Sequence, residues 1–127
     1  MIPRILVVDD EVDIPDLFRQ RFRRELKAGA VELAFAANGL EAIACLQAGP
    51  PFDMILTDVN MPELDGLQLL DRVRQDWPTV PVVLVSAYSG QTNRERALSL
   101  GARDFVAKPV DFRHLKTLVS DVSNPTG

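Results

Sequence analysis

Polar and charged side chains follow four apolar runs of this 127-residue chain, in each case where the run ends. In chain order these side chains are Asp9 with Asp10, Asp58, Ser86 and Lys108. If the four runs were strands of one sheet, three carboxylates, a hydroxyl and an ammonium group would converge at its edge. The sequence therefore contains a candidate site, provided that the fold brings these ends together.

This set of groups suits one kind of chemistry. Two carboxylates about 4 Å apart repel each other by about 4 kcal/mol at an effective dielectric constant of 20, so three of them favour a bound cation. An all-oxygen site suits Mg²⁺, which usually takes one or two carboxylates together with phosphate oxygens. An aspartate can accept a phosphoryl group covalently, and the transfer needs mainly in-line positioning and neutralised phosphoryl oxygens. Asp58 with Mg²⁺, Ser86 and Lys108 would supply both the positioning and the neutralisation.

The elements that must position these groups follow from the periodicity of apolar residues. Continuous apolar runs are typical of strands buried on both faces, and they predict strands at residues 5–8, 31–35, 54–57, 82–85 and 104–107. Apolar stripes at helical spacing predict helices at residues 14–26, 39–47, 67–77, 91–100 and 112–122. This alternation predicts a doubly wound parallel α/β sheet, whose sites form at the carboxyl ends of the strands.

Composition limits the function further. Hydrophobic residues make up 46% and charged residues 25%, which is typical of a single folded domain. The net charge of −4 argues against direct binding of nucleic acid, and no apolar run approaches the ~20 residues of a membrane helix. A lone cysteine, Cys45, builds neither an internal disulfide nor a zinc site, so we expect a cytoplasmic protein.

Four motifs, taken in order, resemble those of the receiver domain of two-component response regulators. They are ILVVDDE at residues 5–11, LTDVNMP at 56–62 with DG at 65–66, VSA at 85–87 and FVAKP at 105–109. The resemblance covers about residues 3–122 and implies a flavodoxin-like, three-layer fold with strand order 2-1-3-4-5 and five helices. It implies a receiver domain at residues 1–122, followed at 123–127 by a polar tail or the start of a linker.

The resemblance implies a role for each matching residue around the acceptor. Asp58 would accept the phosphoryl group. Asp10 would ligate Mg²⁺ directly, Asp9 would act more through water, and Asp58 would be the third carboxylate at the ion. Asn60 would offer its backbone carbonyl to the ion, and no organic cofactor is expected.

A second group of residues would respond to phosphorylation. Ser86 would be the switch hydroxyl and Phe105 the switch aromatic, although Phe105 has no hydroxyl and must act through packing. Lys108 would hold the phosphoryl group, and its peptide bond to Pro109 is expected to be cis.

The implied function is a signalling switch driven by phosphorylation. A sensor histidine kinase or a phosphotransfer protein would donate the group, and a changed surface would control an output domain or a protein partner. The chain would catalyse only its own phosphorylation and dephosphorylation, so we do not expect an ordinary enzyme. We expect that any homodimer uses the last strand and helices, and we expect no direct contact with nucleic acid or membrane.

Two alternatives come from other classes of protein. An aspartyl-phosphate phosphatase of the haloacid dehalogenase type needs a second aspartate two residues after the nucleophile, where this chain has Asn60. A flavodoxin-like flavin-binding module needs a phosphate-cradling loop rich in Ser, Thr and Gly after the first strand. This chain has Asp9, Asp10 and Glu11 there, which would repel a phosphate without a metal ion.

Two residues outside the motifs carry weaker signals. His114 lies off the apolar stripe of the last helix, so we predict a solvated histidine rather than a phosphorylated one. Tyr88, two residues after Ser86, either covers loop backbone or leans over the phosphorylation pocket.

Overall fold

The computed structural model describes residues 2–61, 64–87 and 90–123. The strands are β1 (Arg4–Val8), β2 (Glu32–Ala36), β3 (Met54–Asp58), β4 (Val82–Ser86) and β5 (Asp104–Ala107). The helices are α1 (Ile14–Arg21), α2 (Arg23–Lys27), α3 (Gly39–Ala48), α4 (Gly66–Asp76), α5 (Gln91–Ser99) and α6 (Phe112–Ser123). Strands and helices alternate along the chain, apart from α1 and α2, which follow one another.

The five strands form one parallel sheet in the order β2-β1-β3-β4-β5. Val8 lies beside Thr57 in the β1–β3 register, and Ser86 lies beside Ala107 in the β4–β5 register. The carboxyl ends of these strands therefore meet at one edge of the sheet. The predicted doubly wound fold and its strand order are confirmed.

Hydrophobic clusters on both faces of the sheet explain why the strands are continuous apolar runs. One cluster packs under α3, α4 and α5, and the other packs under α1, α2 and α6. Successive residues of β1 alternate between them, with Ile5 and Val7 in one cluster and Leu6 and Val8 in the other. Every residue of β3 and β4 is buried, as in the central strands of a covered parallel sheet.

The described residues form six helices where the sequence predicted five, because the helix predicted at residues 14–26 is divided at Phe22. Phe22 takes φ −100° and ψ 18°, although its N–H still donates to the Phe18 carbonyl at 2.9 Å. Its buried ring packs against the rings of Phe18 and Phe112, so the break coincides with a contact between this segment and α6. The apolar stripe continues through the break, so residue spacing contained no sign of it.

The carboxyl-terminal part of the chain agrees with the sequence in most respects. The Lys108–Pro109 peptide bond is cis, as expected. Helix α6 continues to Ser123, the first residue of the predicted tail. The rest of that tail, residues 124–127, and Tyr88 lie outside the described residues, so the domain boundary stays a prediction. No helix in the described part of the chain combines the length and apolar character needed to cross a membrane.

The end of β3 lies against the beginning of α4, and a glycine permits this contact. Gly66 is the first residue of α4, and its N–H donates to the Val59 carbonyl at 3.0 Å. A Cβ atom at this position would lie 2.3 Å from the carbonyl oxygen of Asp58. The Asp65 side chain caps α4 in a reciprocal capping box with Gln68, which fixes where the helix begins.

We expect Gly66→Ala to destabilise the fold by about 1–3 kcal/mol, because the added methyl group must displace the backbone at the end of β3. Gly90→Ala is the matched control, since no atom lies within 4 Å of a Cβ there and its φ of −82° suits any residue. Denaturant titration gives the free energy of unfolding of each variant. Equal stabilities would contradict the close contact at Gly66.

Candidate functional site

Three carboxylates meet at the carboxyl edge of the sheet. Asp9 and Asp10 follow β1 and Asp58 ends β3, and one oxygen atom of each lies within 4.8 Å of the others. Asp58 is buried, Asp9 is half-buried and Asp10 is exposed, so the cluster is open to water on one side. The structure therefore brings together the three carboxylates that were predicted to bind Mg²⁺.

Lys108 offsets part of the charge of this cluster. Its Nζ donates to Asp9 Oδ2 at 3.3 Å and to Asp58 Oδ2 at 3.1 Å. A third bond, also of 3.1 Å, goes to Glu11 Oε1. Burial lowers the pKa of Lys108, but the hydrogen bonds to Glu11 and Asp58 outweigh this effect. The nearby carboxylate charges add to those bonds, and the pKa of the ammonium group lies well above its ordinary value.

Burial also affects Asp9. It is the largest cause of a pKa raised above the ordinary 3.8, and the negative charge of Asp58 adds to it. Hydrogen bonds from the Glu11 N–H, at 2.9 Å, and from Lys108 oppose the shift without cancelling it. The charged form of Asp9 therefore costs free energy in the metal-free fold, as in a site that is arranged to receive a cation.

The donor set fits Mg²⁺. The three clustered carboxylates of Asp9, Asp10 and Asp58 outnumber the one ammonium group of Lys108, which also pairs with Glu11, so the formal charge of the site stays negative. Carboxylate oxygens that are open to water on one side are the ligands this ion prefers. Mg²⁺ would add the positive charge that Lys108 alone does not supply.

The two side-chain oxygens of Asp58 have different partners. Oδ1 accepts a hydrogen bond from the backbone N–H of Asn60 at 3.3 Å, and Oδ2 accepts the bond from Lys108. Both contacts hold the carboxylate at the end of β3. Asn60 lies next to the acceptor, while the use of its carbonyl as an ion ligand stays a prediction.

Ser86 and Phe105 lie on β4 and β5, the two strands that follow β3 and its Asp58 in the sheet. Ser86 ends β4 and is buried, and Phe105 is buried on the neighbouring strand β5. Both residues line a cavity of about 300 Å³, together with Asn60 and with residues of α4 and α5. The structure thus places the two predicted switch residues at one cavity next to the acceptor, and their roles stay predictions.

A family profile described as the response regulator receiver domain matches residues 5–120. The matched range contains the whole carboxylate cluster together with Ser86, Phe105 and Lys108. The chain belongs to this family. It is a receiver domain of the response regulators of two-component systems, as the four motifs indicated. The match supports neither the haloacid dehalogenase alternative nor the flavin-binding one.

Individual receiver domains show the same relationship. Response regulator protein PilR of Pseudomonas aeruginosa is 36% identical over 118 residues, which make up 92% of this chain and 25% of PilR. The receiver domain of a Francisella response regulator is 28% identical with a TM-score of 0.86, covering 98% of this chain and 99% of that one. TrrA of Thermotoga maritima, in complex with Mg²⁺ and BeF, is 31% identical with a TM-score of 0.78, covering 95% and 99%.

The receiver domain also contains an ion-pair network that sequence reasoning missed. Asp104 is buried at the start of β5 and accepts hydrogen bonds from Arg94 of α5, at 2.8 Å, and from His114 Nε2 of α6, at 3.0 Å. The Phe105 N–H donates to the same carboxylate at 2.8 Å. His114 is exposed as predicted, but its ring is bonded rather than simply solvated. Asp104, Arg94 and His114 lie on one strand and two helices, so no local sequence pattern predicts that their side chains meet.

The network lowers the pKa of Asp104. Burial is the largest influence and raises this pKa, but the hydrogen bonds from Phe105 and His114 outweigh it. The charge and hydrogen bond of Arg94 lower it further, so the pKa lies below its ordinary 3.8. The charged form of Asp104 therefore stabilises the fold, in contrast to the charged form of Asp9.

Neutralising these two aspartates should have opposite effects. Because burial and the charge of Asp58 raise the pKa of Asp9, Asp9→Asn should stabilise the metal-free domain at pH 7, by the roughly 0.5–2 kcal/mol usual for relief of unfavourable charge. Because Asp104 is bonded and its pKa is lowered, Asp104→Asn should destabilise the domain by about 1–3 kcal/mol. Denaturant titrations in EDTA measure both changes. Loss of stability in Asp9→Asn would contradict the cost assigned to its charge.

The pH dependence gives a second check on the same pair. As the pH falls through the raised folded-state pKa of Asp9 toward 3.8, the wild-type residue becomes protonated, so the advantage of Asp9→Asn should shrink. The contribution of Asp104 to the free energy of unfolding is complete above pH 3.8 and is lost as the pH falls below that value. The deficit of Asp104→Asn should therefore persist down to that pH.

Mg²⁺ should raise the melting temperature of the wild type by mass action, because the ion is expected to bind the folded cluster and not the unfolded chain. Asp10→Asn should abolish this shift. Asp13→Asn should keep it, because Asp13 is an exposed aspartate outside the cluster. Thermal melts with Mg²⁺ and with EDTA measure the difference. A shift of wild-type size in Asp10→Asn would exclude this cluster as the ion site.

Proposed function

We propose that this receiver domain accepts a phosphoryl group on Asp58 from a sensor histidine kinase or a phosphotransfer protein, with Mg²⁺ at the carboxylate cluster. The observation that carries the proposal is the environment of Asp58, whose side chain is only 8% exposed at the end of β3 beside β4, with Lys108 bonded to one of its oxygens. The complex of the related TrrA with Mg²⁺ and BeF supports the choice of ion.

In the proposed transfer, an oxygen of Asp58 forms a bond to the phosphorus atom of the donor. The bond from phosphorus to the donor's leaving group breaks, and its electron pair leaves with that group. Mg²⁺, when bound, supplies positive charge that neutralises the phosphoryl oxygens. Lys108 adds a compact positive charge with N–H donors, and the Ser86 hydroxyl donates to a transferred oxygen.

The response is proposed to begin in the cavity that Ser86 and Phe105 share. A phosphoryl group that attracts the Ser86 hydroxyl changes the shape of this cavity, and the Phe105 ring repacks. Because Phe105 has no hydroxyl, the response depends on packing alone. The changed surface of β5, α5 and α6 then controls an output domain or partner. Any homodimer would form through the same surface.

This function is that of a signalling switch, and we do not propose turnover of a metabolite. The domain would catalyse only its own phosphorylation and dephosphorylation. The chain spans 25% of PilR, so we propose that its effect is exerted through a further domain or a separate protein. Direct contact with nucleic acid or a membrane is not part of the proposal, and the cytoplasm is the proposed location.

Phosphorylation by a small-molecule donor tests this function. With Mg²⁺ and acetyl phosphate, intact-mass spectrometry should show the gain of one phosphoryl group in the wild type. Asp58→Asn should gain none, because Asp58 combines the ion site and the bond to Lys108 with a position beside β4, the strand that ends at Ser86. The product is a mixed anhydride, so base should remove the group, unlike the phosphate of a phosphoserine.

Asp13→Asn is the matched control, since it removes an exposed carboxylate outside the cluster and should be phosphorylated like the wild type. EDTA should prevent the mass gain in both proteins. An unmodified wild type, or an equal gain on the same peptide in Asp58→Asn, would show that the fold lacks this chemistry.

A further inference from the structure

Glu11 has a contact that the proposed function does not use. Its Oε1 accepts a hydrogen bond from Lys108 Nζ at 3.1 Å, although the two residues are 97 positions apart. The Lys108 ammonium has three N–H donors, and Asp9 and Asp58 accept the other two. Each donor of Lys108 is therefore occupied by a carboxylate before any phosphoryl group arrives.

The three bonds of Lys108 differ in their access to water. The side chains of Asp9 and Asp58 are each 8% exposed, whereas that of Glu11 is 60% exposed. The Glu11 N–H donates to Asp9 Oδ1 at 2.9 Å, so the backbone of Glu11 is fixed beside the cluster while its carboxylate faces solvent. Glu11 therefore binds the ammonium group from the open side of the site.

We propose that Glu11 is a positioning residue that holds Lys108 in the unphosphorylated domain and competes for it with a phosphoryl group on Asp58. The proposal rests on the proposed function. A phosphoryl group adds up to two negative charges and three acceptor oxygens at Asp58, and Lys108 can bond to it only by giving up a present partner. The Glu11 bond is the least costly to exchange, because water can solvate the released carboxylate.

The competition predicts that replacing Glu11 raises the affinity for a phosphoryl analogue, whereas the loss of an ordinary favourable contact would lower it. If Glu11 holds Lys108 back, Glu11→Gln should strengthen the binding of a phosphoryl analogue. An exposed ion pair of this kind corresponds to a change of about two- to fivefold in the dissociation constant. A residue that only supported the bound state would weaken binding when replaced.

Beryllium fluoride with Mg²⁺ is the probe, since the related TrrA was solved with both. Calorimetric titration should give a dissociation constant about two- to fivefold lower for Glu11→Gln than for the wild type. Asp13→Asn is the matched control: it removes the same charge two residues away, and the Asp13 side chain makes no capping hydrogen bond. It should bind like the wild type, whereas an equal gain would assign the effect to net charge and overturn the proposal.

A second measurement needs neither the ion nor the analogue. Unfolding in EDTA of the wild type, Glu11→Gln, Lys108→Met and the double variant forms a double-mutant cycle. We expect the effect of Glu11→Gln on the folding equilibrium to differ about two- to fivefold between the Lys108 and Lys108→Met backgrounds. The effect of Asp13→Asn should be the same in both. Additive effects of Glu11 and Lys108 would overturn the proposal.

The outcomes separate this proposal from the proposed function. Binding of the analogue by the wild type, its loss in Asp58→Asn, and unchanged binding in Glu11→Gln would overturn the competition and leave the proposed function standing. Absence of binding in the wild type would overturn both. Tighter binding in Glu11→Gln, together with coupling to Lys108 in the metal-free cycle, supports the competition.

Discussion

The site depends on one ammonium group placed among carboxylates. The parallel sheet brings Asp9, Asp10 and Asp58 within 4.8 Å of one another, where each pair repels by about 3 kcal/mol at an effective dielectric constant of 20. Lys108 reduces this repulsion through two bonds to the cluster and a third to Glu11. The remaining negative charge is what a divalent cation would neutralise, so the same arrangement that strains the metal-free fold favours the ion.

Most of the fold and the acceptor cluster could be predicted from the sequence, because both follow from local patterns and one topological rule. Buried strands show as continuous apolar runs, and parallel strands covered by helices end at a common edge. Asp9, Asp10, Asp58 and Lys108 each follow such a run, so their convergence required only the correct strand order. The motifs added the roles that spacing alone could not assign.

The features that the sequence did not predict depend on contacts between distant side chains. The break at Phe22 lies where that ring packs against Phe112 of α6, while the apolar spacing of the segment stays that of one helix. The bond between Glu11 and Lys108 joins opposite ends of the chain, although each residue was visible in a motif. His114 lies off the apolar stripe as periodicity requires, but periodicity does not report a hydrogen bond across to β5.

Opposite electrostatic arrangements lie at the two ends of β5. Just beyond its carboxyl end, Lys108 is a cation held by carboxylates, and at its first residue Asp104 is a carboxylate held by Arg94 of α5 and His114 of α6. Phe105 lies between them, and its carbonyl accepts a second bond from Arg94 at 3.0 Å. Under the proposed function, a change of charge at Asp58 would act on β5 through Lys108, while the Asp104 network links that strand to α5 and α6. A strand of only four residues, held at both ends by charged groups, would then be a short connection from Asp58 to the surface of α5 and α6.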